Sequence, residues 1–239
     1  MHYITIPLHV LVKFEQWEKI LAAPKPDEDL EYPKAIWHYA RGMAFANLNK
    51  LKEAQNELDS VNKLSDSEGV KKIIIWSINQ ATQVGKIASM VLNAELMTKK
   101  GDFKMATKLL QQAIVLEDNL NYNEPPDWFF SVRHLLGNVL MNAGDYDQAE
   151  KIYREDLATW PKNGFALTGL YESLKAQNKL KEADEVKKQL DVAWKYADSD
   201  LKYSRIDESK RKNLALKIDE NSPNEVIYLA SSLCMAKVK

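Results

Sequence analysis

The side chains best suited to metal or nucleophilic chemistry are few and widely spaced. The sequence has four histidines and one cysteine. The histidines form neither an HxxxH nor an HExxH pair, and Cys234 has no second cysteine with which to build a zinc site. No GxSxG motif and no glycine-rich phosphate loop is present. The sequence therefore predicts no catalytic residue, no metal and no cofactor.

A second chemistry, recognition of a peptide backbone, is indicated by polar and adaptable side chains spaced one helical turn apart. Asn138 and Asn142 illustrate this spacing, which places two amides on one face of a helix. An amide can both donate to and accept from an extended peptide, and methionine adds adaptable apolar contact. Any solvated groove also needs polar residues, so each position has a purely structural alternative. The predicted groove positions are Tyr39, Met43, Asn47, Glu95, His134, Asn138, Asn142, Thr168 and Glu172.

The stretch NYNEPPDWF, residues 121–129, combines aromatic and acidic residues with two prolines. One interpretation makes Glu124 and Trp128 a rim of the groove beside Arg133. The alternative is that its aromatic residues, Tyr122, Trp128 and Phe129, fill a seam between two helical units. The prolines are expected to end the preceding helix, and Asp127 to cap a following helix that Trp128 opens.

These positions require helices to present them, and the helices follow from an internal repeat. The clearest unit is LLGNVLMNAGDYDQAEKIYREDLATWP, residues 135–161, with small residues at Gly137 and Ala149 and a turn residue at Gly144. Two antiparallel helices approach closely only where a side chain is small. A left-handed residue must then end the first helix, and glycine or asparagine adopts that conformation best. The pattern resembles the tetratricopeptide repeat (TPR), a helix-turn-helix unit of 34 residues.

The same pattern recurs along the chain and predicts an all-α fold. Five TPR-like helix pairs are expected in residues 1–200, starting near residues 1, 35, 87, 130 and 164. Left-handed turns are predicted at Asn49, Gly101, Gly144 and Asn178. The resemblance implies an α-solenoid, a right-handed superhelix of antiparallel helix pairs. Residues 201–239 are expected to form a C-terminal helical cap, whose last helix follows Ser222.

Two inserts interrupt the spacing, at residues 69–86 and 121–129. The first is 18 residues long, which is five helical turns, so we expect one continuous helix from Ser67 to Lys100. Ile73, Ile74 and Trp76 would form an apolar ridge on it. The ridge is interpreted either as packing against the preceding unit or as a homodimer surface.

Composition limits the partners. Thirty-three Lys and Arg residues balance thirty-four Asp and Glu residues, for a net charge of -1, and no block of one sign is sustained. The chain is therefore not expected to bind nucleic acid. No apolar run approaches the roughly 18 residues of a membrane helix, and no signal peptide is visible. We expect a cytoplasmic protein that does not contact membranes.

Several longer strings resemble a family of bacterial TPR-containing proteins without an assigned activity. They include IWHYARGMAFANLNKLKEAQNEL and LEDNLNYNEPPDWFFSVRHLLGNVL. Members of that family tend to be longer at the N-terminus, which implies that this chain corresponds to their C-terminal part. The leading prediction is a non-enzymatic scaffold that presents a concave groove to a protein or peptide segment. The alternatives are a self-associating structural protein and an accessory domain that binds a small ligand near Trp128.

Overall fold

The computed structural model describes residues 2–197 and 201–206. A short 3-10 helix, His2–Thr5, precedes the first α-helix. The helices are α1 Ile6–Lys13, α2 Trp17–Ala22, α3 Glu31–Asn47, α4 Leu51–Ser65, α5 Glu68–Lys71, α6 Ala81–Lys99, α7 Phe103–Asp118, α8 Val132–Ala143, α9 Tyr146–Thr159, α10 Gly164–Ala176 and α11 Leu180–Ala193. The strands are β1 Ile74–Ile75, β2 Asn79–Gln80, β3 Leu201–Lys202 and β4 Arg205–Ile206.

The long helices pack as consecutive pairs: α3 with α4, α6 with α7, α8 with α9, and α10 with α11. Small side chains lie where these helices cross, as the repeat predicts. Ala54, Ala106, Ala149 and Ala183 are all buried. The ring of Tyr153 fills the space that two glycines leave open. A Cβ on Gly137 would lie 2.3 Å from its Cζ atom, and a Cβ on Gly169 would lie 2.1 Å from it.

The predicted left-handed turns are confirmed at all four positions. Gly101 and Gly144 have φ values of 81° and 80°, and Asn49 and Asn178 both have φ 59°. Glu15, at the α1–α2 turn, is also left-handed, with φ 53°. The observed architecture is an α-solenoid of antiparallel helix pairs, as predicted.

The expected continuous helix from Ser67 to Lys100 is wrong. Helix α5 is short, and β1 then pairs with β2 in an antiparallel hairpin before α6 begins at Ala81. A run of three isoleucines favours a strand over a helix because β-branched side chains lose rotamers in a helix. Ile75 is buried by the hairpin, whereas Ile74 and Trp76 are exposed.

The predicted role of Asp127 as a helix cap is also wrong. Helix α7 ends at Asp118, well before the prolines, and α8 begins only at Val132. The N-cap is Ser131, and the Glu117 carboxylate accepts a hydrogen bond from the Val132 amide at 3.0 Å. The side chain of Asp127 is buried and accepts from Asn79 Nδ2 at 2.8 Å. The Asp127 carboxylate therefore takes part in a hydrogen bond between loops and does not cap α8.

The seam interpretation of residues 121–129 holds for one aromatic and fails for another. Trp128 is buried in the hydrophobic core, where its ring lies 5.5 Å from that of Tyr39. Tyr122, by contrast, is 78% exposed. The loop therefore fills the seam with its C-terminal half and leaves its N-terminal half in solvent.

Residues 201–206 form a hairpin where the sequence predicted part of a helical cap. Strand β3 lies against α10, and strand β4 against α8. The rest of the predicted cap, residues 207–239, lies outside the described residues. No helix in the described ranges is both long enough and apolar enough to cross a membrane.

Candidate functional site

The predicted groove positions of three different helices meet around one side chain, Arg205. Tyr39 and Met43 of α3 and His134 of α8 border a small cavity of about 50 Å³ together with Arg205. Glu95 of α6 and Asn138 of α8 border an adjoining cavity that Arg205 also lines. We call this surface of α3, α6, α8 and α10 the inner face. Four of the predicted groove residues, Tyr39, Met43, Glu95 and His134, have exposed fractions of 6% or less, because the chain's own segments cover them.

Arg205 is held by two carboxylates that are distant in sequence. Its Nε donates to Glu15 Oε1 at 2.8 Å, and its Nη1 donates to both oxygens of Glu95 at 3.1 and 3.0 Å. Lys99 Nζ lies 3.7 Å from Glu95 Oε1. Burial alone would lower the pKa of Arg205, but the carboxylates outweigh it and raise that pKa. Burial would likewise raise the pKa of Glu95, yet Arg205 and Lys99 hold it below its ordinary value. The ionic form is therefore favoured on both sides.

The residue before Arg205 is fixed by a hydroxyl network. Ser204 Oγ donates to the carbonyl oxygen of His134 at 2.6 Å. The Tyr153 hydroxyl lies 2.8 Å from Ser204 Oγ and, because that oxygen already donates, acts as its donor. Ser204 is buried. The tip of the β3–β4 hairpin thus presents a hydroxyl and a guanidinium to matched groups of the inner face.

A second polar chain lies beside the hairpin. Lys13 Nζ donates to His134 Nδ1 at 3.1 Å, and His134 Nε2 donates to Asp156 Oδ2 at 3.1 Å. Lys13 also lies 3.5 Å from the centroid of the Phe165 ring, a cation-π contact. Burial lowers the pKa of Lys13 to about 7, and burial together with Lys13 lowers the pKa of His134. These contacts join α1 to α8 and α10 across the inner face.

Aromatic rings close the other side of the cavity. His9 of α1 packs against Trp128 with ring centroids 5.2 Å apart, and against Phe129 at 5.1 Å. Burial lowers the pKa of His9 to about 3, and the neighbouring His2 adds to the effect. His9 is therefore neutral at physiological pH.

The remaining predicted groove positions contribute mainly local hydrogen bonds. Asn47 Nδ2 donates to the Met43 carbonyl at 2.9 Å, and Asn142 Nδ2 donates to Asn138 Oδ1 at 3.0 Å. Thr168 accepts from Trp194 Nε1 at 3.0 Å. Glu172 lies on α10, 3.6 Å from Lys175 Nζ.

The structure does not show the predicted rim as a unit. Glu124 is exposed, Trp128 is buried, and Arg133 makes a bidentate pair with Asp118 at 2.8 and 2.7 Å. Arg133 lies opposite the end of α7 because Asp118 is the last residue of that helix. Its guanidinium thus joins α8 to the preceding pair.

Sequence reasoning missed Lys13, Glu15, Asp156, Ser204 and Arg205. The spacing of the repeats carries no signal for them, because Arg205 lies 190 residues from Glu15 and 110 from Glu95. The one available signal was Glu15 itself, a non-glycine residue at a position that requires a left-handed turn. Within the described residues, no cluster of three or more His, Cys, Asp or Glu side chains could hold a metal ion.

Comparison with known proteins identifies the repeat. The family model of the tetratricopeptide repeat matches residues 132–164, which include α8 and α9. Similar solved structures include two of the nearly identical TPR-like repeats attributed to a kinesin light chain of Podosopora anserina, one of them a variant. Both are 17% identical to this chain with a TM-score of 0.49. The variant match covers 81% of this chain and 92% of that one, and the other covers 83% and 95%. The comparison with curated proteins found no match.

The matched repeat and the stacked helix pairs define an α-solenoid protein. Residues 132–164 of this chain match the tetratricopeptide repeat. The predicted resemblance to the tetratricopeptide repeat is thereby confirmed. The closer resemblance to a bacterial family stays a prediction.

Proposed function

We propose that this protein is a non-enzymatic scaffold whose inner face binds an extended segment of a partner protein. Tetratricopeptide repeats generally mediate protein–protein interaction, and solenoids use their concave surfaces for it. The observation that carries the proposal is the placement of β3–β4. A short extended segment already lies against α8 and α10 and makes side-chain hydrogen bonds to the inner face.

The groove asparagines provide the test. Asn142 donates to Asn138 in the structure, so replacing both with alanine removes donor and acceptor together and leaves no orphaned amide. We expect Asn138→Ala/Asn142→Ala to keep the helicity and melting temperature of the parent. The double variant should enrich fewer peptides from a displayed peptide library than the parent protein does.

The matched control is Asn56→Ala/Gln111→Ala, which removes two exposed amides from the second helices α4 and α7. This control should select the same peptides as the parent. If the library yields no enriched peptide, or if both double variants select peptides equally well, the inner face is not the binding surface.

Self-association is a second candidate function, favoured by an exposed apolar patch. Tyr3 contacts Trp76 with ring centroids 4.6 Å apart, and the neighbouring Ile4, Ile74 and Ile78 are also exposed. The predicted homodimer ridge of Ile73, Ile74 and Trp76 overlaps this patch. Trp76→Glu should abolish any dimer seen by sedimentation velocity, whereas Trp160→Glu, a tryptophan of similar exposure on α9's C-cap, should not. A parent protein that is monomeric at all concentrations removes this candidate.

A further inference from the structure

The β3–β4 hairpin has little intrinsic stability. It has only two residue pairs, Leu201 with Ile206 and Lys202 with Arg205. Two-stranded hairpins are marginal in water without tertiary support. Its position therefore depends on what its turn and second strand contact, chiefly through Ser204 and Arg205.

The contacts of Arg205 have the form of a recognition site. Glu15 and Glu95 are both buried, with exposed fractions of 6%, and both face the guanidinium. Arginine offers five donors in a planar fork that two carboxylates can share, which a lysine ammonium cannot match. Two buried carboxylates, one from the α1–α2 turn and one from α6, thus create strong charge complementarity for one arginine.

The groups around the residue before the arginine favour a small side chain with a hydroxyl. Ser204 Oγ lies between the Tyr153 hydroxyl at 2.8 Å and the His134 carbonyl at 2.6 Å, and the residue is 1% exposed. A larger side chain would have to displace these groups. A residue without a hydroxyl would leave the buried Tyr153 hydroxyl without this partner.

We propose that the inner face recognises an extended partner segment in which a small hydroxyl residue precedes an arginine, and that the β3–β4 hairpin is the internal occupant with which this segment competes. The inference rests on the proposed scaffold function and specifies the chemistry of the partner. The partner can bind only those molecules in which the hairpin has left the site. The apparent affinity for the partner is therefore the intrinsic affinity multiplied by the fraction of such molecules. Removing its arginine therefore strengthens binding of an arginine supplied from outside.

The experiment uses the full chain and a fluorescein-labelled peptide, LKYSRI, which copies residues 201–206. Fluorescence anisotropy should give at least about tenfold tighter binding to Arg205→Ala than to the parent. Lys202→Ala is the matched control, because it removes an exposed cation from the same hairpin, and it should bind like the parent. In the Arg205→Ala background, Glu95→Gln should weaken binding about tenfold.

A second peptide, in which citrulline replaces arginine, keeps the shape and removes the charge. It should bind Arg205→Ala at least about tenfold more weakly than LKYSRI. If Arg205→Ala fails to fold, Arg205→Lys takes its place, since lysine keeps the charge but not the fork. That variant should bind LKYSRI more tightly than the parent does.

Two results would overturn the inference: a folded variant that does not bind LKYSRI, or one that binds both peptides equally. The hairpin would then be a permanent part of the fold. The displayed library separates this failure from failure of the proposed function. Enriched peptides that lack arginine would remove the inference and leave the scaffold, whereas a library without any enriched peptide would remove both.

Discussion

The two β-hairpins in the described part of the chain have the same length but opposite surroundings. Each has two residue pairs, and each turn contains a left-handed residue that is not glycine. The β1–β2 turn exposes Trp76 and Ser77, with φ values of 52° and 61°. The β3–β4 turn has Tyr203 at φ 57° and buries the polar Ser204 against the inner face. One turn is displayed to solvent, and the other is inserted between helices.

The difference lies in where each hairpin is anchored. The first is held at the start of its second strand by Asn79, whose Nδ2 donates to Asp127 at 2.8 Å and whose Oδ1 accepts from the Asn121 amide at 2.7 Å. The second is held at its turn and second strand by Ser204 and Arg205. A hairpin whose turn residues stay in solvent leaves that turn free for contact with another molecule. A hairpin whose turn is buried among helices occupies a site that another molecule can compete for.

The largest effect is expected from removing the anchor of the second hairpin. Arg205→Ala leaves the Glu15 and Glu95 carboxylates buried without the guanidinium. We expect the free energy of unfolding to fall by about 3 kcal/mol, because a buried charge that loses its partner is strongly destabilising. Urea denaturation followed by circular dichroism measures the change.

The control for this prediction is Lys202→Ala on the same hairpin. It should change stability by no more than about 0.5 kcal/mol, as is usual for an exposed site. Equal losses in the two variants would mean that the ionic contacts do not hold the hairpin.

Removing the anchor of the first hairpin should lower stability somewhat less, because the Asn79 side chain carries no charge. Asn79→Ala removes hydrogen bonds to the Asn121 carbonyl, the Asn121 amide and Asp127. Losing these three hydrogen bonds, one of them to the buried Asp127 carboxylate, is expected to lower stability by about 2 kcal/mol. Hydrogen exchange should rise in residues 73–80 and stay unchanged in residues 201–206. A rise in both hairpins would show that they are not independent.

The smallest predicted effect is a pH dependence that belongs to the inner face alone. Burial lowers the pKa of Lys13 to about 7, with Arg205 adding to the shift and Asp156 and Glu15 opposing it. Between this value and the ordinary 10.5, the unfolded chain binds more protons than the folded chain. The Lys13 contribution to the free energy of unfolding therefore rises with pH above about 7 and is constant at lower pH.

Lys13→Met should reduce the gain in stability between pH 7 and pH 8 by about 1 kcal/mol. Urea denaturation at the two pH values measures it, and Lys202→Met is the control. Identical pH profiles for the parent and Lys13→Met would show that Lys13 titrates normally in the folded protein.

The sequence was a good guide wherever one residue type satisfies a local need. Gly101 and Gly144 are left-handed because glycine has no Cβ to clash, and Ala149 is buried because two helices cross there. The same reasoning failed for residues 67–80. Counting 18 residues as five turns tests the register of a helix but ignores the strand preference of Ile73–Ile75.

Only part of the candidate site could be predicted from the sequence. Repeat spacing indicated that Tyr39, Glu95 and His134 share one face, because equivalent positions of stacked helices line up. It could not indicate that Arg205 would occupy that face, since the hairpin lies outside the repeats and its partners are set by tertiary folding. The spacing of the groove residues also could not indicate that this hairpin would bury them.

The central claim is that the β3–β4 hairpin is a replaceable occupant of the inner face. Hydrogen exchange of residues 201–206 in the parent protein, with and without saturating LKYSRI peptide, tests it most directly. We expect the peptide to accelerate exchange in residues 201–206 while protection in α8 and α9 is kept, since the hairpin leaves and the solenoid does not. Unchanged exchange in residues 201–206 at saturating peptide would contradict the claim.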